Sequence, residues 1–209
     1  MNLTSYGPWK RLTDVVVSSL GIVITAPLQM VVAVVIRLRI GSPVLFRQER
    51  PGKDERIFTL IKFRTMLPPD PSRGPMTDAE RMTALGSLLR STSLDELPTL
   101  WNVFKGDMSL VGPRPLLVRY LDRYTPEQRR RHQVRPGVTG LAQVSGRNAI
   151  TWEEKFAKDV EYVDRLSPAL DLSIMVRTIG RVLRRDGIAD SGGVSMAEFT
   201  GTGGDPRDA

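Results

Sequence analysis

Val15–Ile36 is a run of 22 positions without a charged side chain, almost all of them apolar. As a straight helix it would extend roughly 33 Å, enough for the ~30 Å hydrocarbon core of a bilayer. A core helix of a soluble domain rarely runs so far without a charge, so the run points to membrane contact. It is longer than the ~7–15 residues of a signal-peptide apolar region, and no small-residue cleavage site with a polar start follows it. Two features argue against a plain span. Pro27 lies mid-run, where it removes a helical hydrogen bond and kinks the chain. Lys10 and Arg11 precede the run and Arg37 and Arg39 follow it, so the preference of cationic flanks for the cytoplasmic side holds both ends on one face. That describes a re-entrant segment bent at Ala26-Pro27, with Ser18, Ser19 and Thr25 available to bond freed backbone groups. On residues alone, a proline-kinked spanning helix is the alternative.

Composition narrows the chemistry. The 209 residues contain no cysteine and one histidine, His132. Disulfides, thiol catalysis and cysteine-ligated metals are excluded, and a His-rich metal site cannot be built. Catalysis must rest on carboxylates, Lys or Arg, with a hard oxygen-liganded metal such as Mg²⁺. The net charge, 30 − 23 = +7, asks for an anionic partner: nucleic acid, anionic lipid or a phosphorylated substrate.

No second apolar run of spanning length follows. Residues 44–66 read as two strands around a Pro51-Gly52 turn, and the proline-rich stretch 67–76 as a loop. Thr77…Glu80, Thr125…Gln128 and Thr151…Glu154 match the helix-start capping box, which predicts helices at 78–90, 126–133 and 152–166. A further helix over 168–185 mixes apolar and Arg positions, suiting either a membrane surface or a core with a solvated basic face. Residues 187–209, rich in Gly, Asp and Ser, read as a mobile tail.

No phosphate loop or dinucleotide-binding glycine pattern occurs, so phosphate binding falls to scattered cations: Lys62, Arg64, Arg90, Arg114, Arg135 and Arg147. Adjacent Asp95-Glu96 sit within Ser91-Thr92-Ser93-Leu94-Asp95-Glu96-Leu97-Pro98. With Ser93 or Asp95 as N-cap, both carboxylates lie at a helix N-terminus, where the dipole favours their ionised forms and attracts phosphate. Carboxylate beside phosphate needs a cation between them, again Mg²⁺. Such a carboxylate can be ligand, base or nucleophile. Gly112-Pro113-Arg114-Pro115 and Arg135-Pro136-Gly137 are rigid turns, each holding an Arg.

Four stretches together resemble a known family: Lys62-Phe-Arg-Thr-Met66, Arg90 to Pro98, Asn102 to Pro115 and Arg135 to Asn148, in that order behind an apolar N-terminal helix. The chain resembles the bacterial sugar transferases, the monotopic phosphoglycosyl transferases, and most of all their small members. The resemblance spans about residues 8–190. It implies a mostly helical α/β fold with a small β-hairpin or sheet. Residues 1–40 would form the re-entrant membrane helix, broken at Ala26-Pro27. Residues 41–190 would form a catalytic core with amphipathic interfacial helices on the cytoplasmic face of the bacterial inner membrane, and 191–209 the tail. It implies transfer of a sugar 1-phosphate from a UDP-sugar to undecaprenyl phosphate, with release of UMP. By similarity Asp95 is the nucleophile, Glu96 its partner, and the two carry Mg²⁺. Lys62, Arg90, Arg114, Gln143, Arg147 and Asp159 match substrate- or phosphate-binding positions. Ser145–Ile150 looks most like the members that use N-acetylated amino sugars; UDP-glucose or UDP-galactose is the alternative. The chain departs from the pattern at Ala26-Pro27, where the family commonly has Ser-Pro, and at Leu141, where it commonly has Trp. Two other classes compete: a basic nucleic-acid-binding protein, which leaves the apolar helix without a role and lacks a binding signature, and a non-catalytic membrane scaffold, against which the intact Asp95-Glu96 speaks. The resemblance names no nucleic acid among the partners and leaves the oligomeric state open.

Overall fold

The computed structural model describes residues 3–68, 76–146, 150–184 and 198–201, with side chains from Tyr6 to Val182 and from Glu198 to Gly201. The apolar run is part of one helix, α1 (Leu3–Arg39), which continues through Pro8 and Pro27. The two helices expected on either side of Ala26-Pro27 are not found as separate elements. An interior proline costs about 3 kcal/mol, yet here the turn around it is clamped by side chains. Thr25 Oγ1 donates to the Gly21 carbonyl (2.6 Å) and accepts from Gln29 Nε2 (2.9 Å).

Packing holds α1 at both ends. Tyr6, Asp14, Ser18, Val32 and Ile36 are buried; their spacings are near multiples of 3.6, which places them on one face. At the N-terminal end, Tyr6 OH and Lys10 Nζ both bond Asp171 Oδ2 (2.9 and 2.5 Å), and Arg11 donates to the Val103 and Phe104 carbonyls. Asp14 Oδ1 accepts from Ser109 Oγ and the Leu110 amide. At the other end Val32 and Ile36 pack with Phe63 and Leu89. Both ends therefore rest on one core. The outward residues are apolar: Val23, Ile24 and Val31 are 71, 73 and 60 % exposed. Among the described residues this is the one helix long and apolar enough to cross a membrane.

Strands β1 (Leu45–Pro51) and β2 (Ile57–Phe63) form the expected antiparallel hairpin, with Phe46 opposite Lys62, Gln48 opposite Leu60 and Arg50 opposite Phe58. All three capping boxes form. The predicted 78–90 helix is two, α2 (Asp78–Arg81) and α3 (Ala84–Ser91), because the Thr83 hydroxyl caps the Gly86 amide (2.9 Å) and starts a new helix. After α4 (Leu100–Lys105) comes β3 (Ser109–Val111), and after α5 (Pro126–Arg129) a 3₁₀ turn, Arg130–Gln133. Strand β4 (Gly137–Thr139) runs parallel to β3, a pair the sequence does not announce. The contact requires glycine: a Cβ at Gly137 would lie 2.1 Å from the Gly112 nitrogen.

Helices α6 (Leu141–Ser145), α7 (Trp152–Asp164) and α8 (Pro168–Arg184) complete the core, where Tyr162, Val163 and Ile174 pack with Val111, Val134 and Val144. Leu172, Val176 and Ile179 form an exposed apolar stripe on α8. For residues 198–201 the mobile tail is corrected. Phe199 is buried against Tyr120, Tyr124 and Phe156, and Glu198 pairs with Arg119 and Arg123. One aromatic anchor outweighs the polar composition around it; the other tail positions lie outside the described residues.

Candidate active site

The site begins at the exposed edge of β2. Thr99 Oγ1 donates to the Ile61 carbonyl (2.9 Å), while Asn102 accepts from the Ile61 amide (3.1 Å) and donates to the Thr59 carbonyl (2.8 Å). These side chains stand in for a neighbouring strand. They fasten the 3₁₀ turn Leu94–Thr99 and α4 to β2 and bring Asp95-Glu96 next to Lys62. The helix start differs from the expected one. Ser93 takes a left-handed conformation (φ 57°) and makes no side-chain cap. The Ser93–Glu96 box does not form because Glu96 is engaged elsewhere: its Oε1 accepts from Lys62 Nζ (2.5 Å) and Arg114 Nη2 (3.1 Å).

The two carboxylates are thereby made unlike. Burial would push Glu96 up, but the adjacent charges of Arg114 and Lys62 and their hydrogen bonds outweigh it and bring its pKa down to about 2. Asp95 is 8 % exposed and accepts no side-chain hydrogen bond from the described residues. Burial, and then the negative charge of Glu96, raise its pKa, against the pull of Lys62, Arg90 and Arg114. Its oxygens are not wholly sealed from the surface. A desolvated carboxylate with free lone pairs and access to the surface is a poised nucleophile or ligand. Lys62 is lowered by burial and then by Arg114.

Arg114 is braced from behind. Arg131 is buried and donates through Nη2 to the Arg114 carbonyl (2.7 Å). Its Nε and Nη2 are held by Asp159 Oδ2 (3.0 and 2.7 Å). Asp159 thus meets the site only through Arg131. Arg90 donates to Thr65 Oγ1 (3.1 Å), and its charge acts on Asp95. Gln143 is not joined to this group: its Nε2 donates to the Val138 carbonyl (3.2 Å) and its Oε1 is enclosed without a partner. Arg147 lies outside the described residues. Sequence reasoning missed Thr99 and Arg131. Arg131 stands in the run Arg129-Arg130-Arg131, and nothing local sets it apart from its neighbours. His132 is buried, donates toward the Gly52 carbonyl (3.3 Å), and is lowered by burial and Arg131 to about 4, so it is neutral at pH 7.

Among the described residues no three His, Cys, Asp or Glu gather as a metal cluster. The residues nevertheless suit Mg²⁺, which binds through one or two carboxylates and completes its shell with water and substrate phosphate. Asp95 offers partnerless oxygens, whereas one Glu96 oxygen is already taken.

A carboxylate pair among arginines and lysine suits chemistry on an anionic substrate, and the long apolar helix beside it is a candidate membrane segment. The family model for bacterial sugar transferases matches residues 5–185, and the chain belongs to that family. Its similarities include an uncharacterized sugar transferase, EpsL, of Bacillus subtilis (50 % identical, covering 93 % of this chain and 96 % of the relative). It is 41 % identical to a UDP-glucose:undecaprenyl-phosphate glucose-1-phosphate transferase of Caulobacter vibrioides, over 85 % of this chain and 70 % of that protein. It is 38 % identical to an N-acetylgalactosaminephosphotransferase acting with undecaprenyl phosphate in Aeromonas hydrophila, over 83 % of this chain and 43 % of the longer relative. The chain is accordingly a phosphoglycosyl transferase.

Proposed function

We propose that the chain transfers a sugar 1-phosphate from a UDP-sugar to undecaprenyl phosphate in two displacements at Asp95. The observation that carries this reading is the contrast within the dyad: Glu96 is fixed by two cations while Asp95 is buried, unpaired and reachable. An Asp95 oxygen attacks the β-phosphorus of the donor. A P–O bond to Asp95 forms, the bond to the oxygen bridging the two phosphates breaks, and UMP leaves with that oxygen and its electron pair. An oxygen of the lipid phosphate then attacks the same phosphorus, and the Asp95 carboxylate departs, leaving the lipid-linked diphosphate sugar. Arg114 and Lys62 hold Glu96 and present positive charge to the transferring phosphoryl oxygens. Arg90 adds charge at Asp95. The Arg131–Asp159 pair keeps the Arg114 backbone in place. Bound at Asp95 and Glu96, Mg²⁺ would supply charge neutralisation for the diphosphate.

The donor is proposed to carry an N-acetylated amino sugar, on the resemblance of Ser145–Ile150. Arg147 and Gln143 are proposed to bind substrate or its phosphates. The products would feed glycoconjugate assembly. A panel of UDP-sugars assayed for UMP release with undecaprenyl phosphate tests donor and reaction together. Release with an N-acetylated donor supports the proposal; release only with UDP-glucose or UDP-galactose reassigns the sugar, and none with any donor contradicts the reaction.

The chain is further proposed to be monotopic on the cytoplasmic face, with residues 1–40 re-entrant and 41–190 as the catalytic core. Support comes from the attachment of both ends of α1 to one core and from the exposed apolar positions of α1 and α8. Cysteines replacing Trp9 and Leu38 should both label from the cytoplasmic side of oriented vesicles. Labelling of one from the opposite side would mean a spanning helix.

A further inference from the structure

Arg50 is the unexplained cation of this site. The β1–β2 register pairs Phe46 with Lys62, Gln48 with Leu60 and Arg50 with Phe58; alternation places these six on one face of the hairpin. Arg50 therefore shares the face that presents Lys62 to Glu96, two residue pairs further along. Arg114 links the two: it shares Glu96 with Lys62, and its charge acts on Arg50.

The side chain of Arg50 is poorly satisfied. Nη2 donates to Gln48 Oε1 (2.5 Å), Nε is enclosed with no partner, and among the described residues no carboxylate pairs with it. A guanidinium has five donors and loses much when withdrawn from water without acceptors. Arg131, which is fully buried where Arg50 is half-buried, has Asp159, a tyrosine hydroxyl and a backbone carbonyl. Burial and the like charges of Arg114 and Arg119 push Arg50 down to about 10, still protonated at pH 7. Arg119 and Arg123 share Glu198. Lys62, Arg90 and Arg114 act on Asp95 and Glu96, and Arg50, beside Arg114, adds a positive charge that no carboxylate among the described residues pairs. A phosphate ester matches the guanidinium fork with two parallel hydrogen bonds.

Resting on the sugar-phosphate transfer proposed above, we propose that Arg50 is a substrate-binding residue. Its free donors take phosphoryl oxygens of a phosphate ester, beside Arg114. Two substrates bring that chemistry, the donor diphosphate and the lipid phosphate, and the measurements separate them.

Arg50→Gln and Arg50→Lys are made in the full chain in lipid nanodiscs. UDP binding is measured by titration calorimetry with Mg²⁺, and discharge of preformed sugar-phosphate adduct by undecaprenyl phosphate is measured in single turnover. About tenfold weaker UDP binding in Arg50→Gln places Arg50 on the donor. Parental UDP binding with about tenfold higher undecaprenyl phosphate needed for half-maximal discharge places it on the acceptor. Arg50→Lys should recover part of either loss, since it restores charge without the fork. The Tm of Arg50→Gln should not fall, because among the described residues the Arg50 side chain makes one hydrogen bond and no ion pair. Parental values in both measurements overturn the proposal, as does a loss equal in both variants that follows a fall in Tm. Failure of the underlying reading looks different: the parent protein itself would form no adduct.

Discussion

Asp95 and Asp159 are both buried carboxylates, and they have opposite circumstances. Asp159 is closed around its own cation: two bonds to Arg131, which spends its remaining donors on Tyr124 and the Arg114 carbonyl. Asp95, also buried but less deeply, has neighbouring charges, and its carboxylate accepts no side-chain hydrogen bond from the described residues. In both, burial raises the pKa. The difference is the direct partner. A carboxylate tied by hydrogen bonds to its own cation is a brace, and one that accepts no side-chain hydrogen bond is available for bond formation. Glu96 lies between these cases, ionised and held but still facing the site.

The comparison breaks if the two residues respond alike to substitution. Asp95→Asn should lower UMP release by about a thousandfold or more, since the nucleophile is removed, yet raise the Tm. The sign follows from the raised pKa: the ionised form is disfavoured in the folded state, so folding bears a cost at neutral pH that a neutral side chain relieves. A fall in Tm would mean that Asp95 is satisfied after all.

Arg131→Met should cost about 3–5 kcal/mol in urea unfolding, because it strands the buried Asp159 charge. Arg131→Met with Asp159→Leu should recover most of that stability while activity stays low, as the Arg114 carbonyl remains unbraced. Recovery of both would reduce the pair to packing.

The smallest effect is one of pH. The lowered pKa of Glu96 contributes stability that is complete above about pH 4.5 and lost as the pH falls toward about 2. Glu96→Gln should flatten that part of the Tm-versus-pH curve. An unchanged slope would place the acid sensitivity elsewhere.

Much of the fold was legible because its signals are local. The three capping boxes depend on residues three apart, and the hairpin on a short alternation around Pro51. Asp95-Glu96 was legible as adjacent charge beside a proline. What escaped depends on distant partners. Ser93 and Glu96 satisfy the capping pattern, but Lys62 and Arg114 compete for the same carboxylate and win. The β3–β4 pair has only three residues per strand and is specified by the close approach at Gly112 and Gly137. Arg131 reads as one member of a basic run until Asp159 is set beside it. Arg50 reads as an ordinary strand-end arginine, and only its missing carboxylate sets it apart.

The central claim is that Asp95 carries the phosphoryl sugar. Intact-mass spectrometry of the protein after mixing with Mg²⁺ and the active UDP-sugar, with no lipid phosphate present, tests it directly. The parent chain should gain the mass of one sugar phosphate, which disappears on adding undecaprenyl phosphate, and Asp95→Asn should gain nothing. An adduct of the same mass and yield on Asp95→Asn would contradict the account.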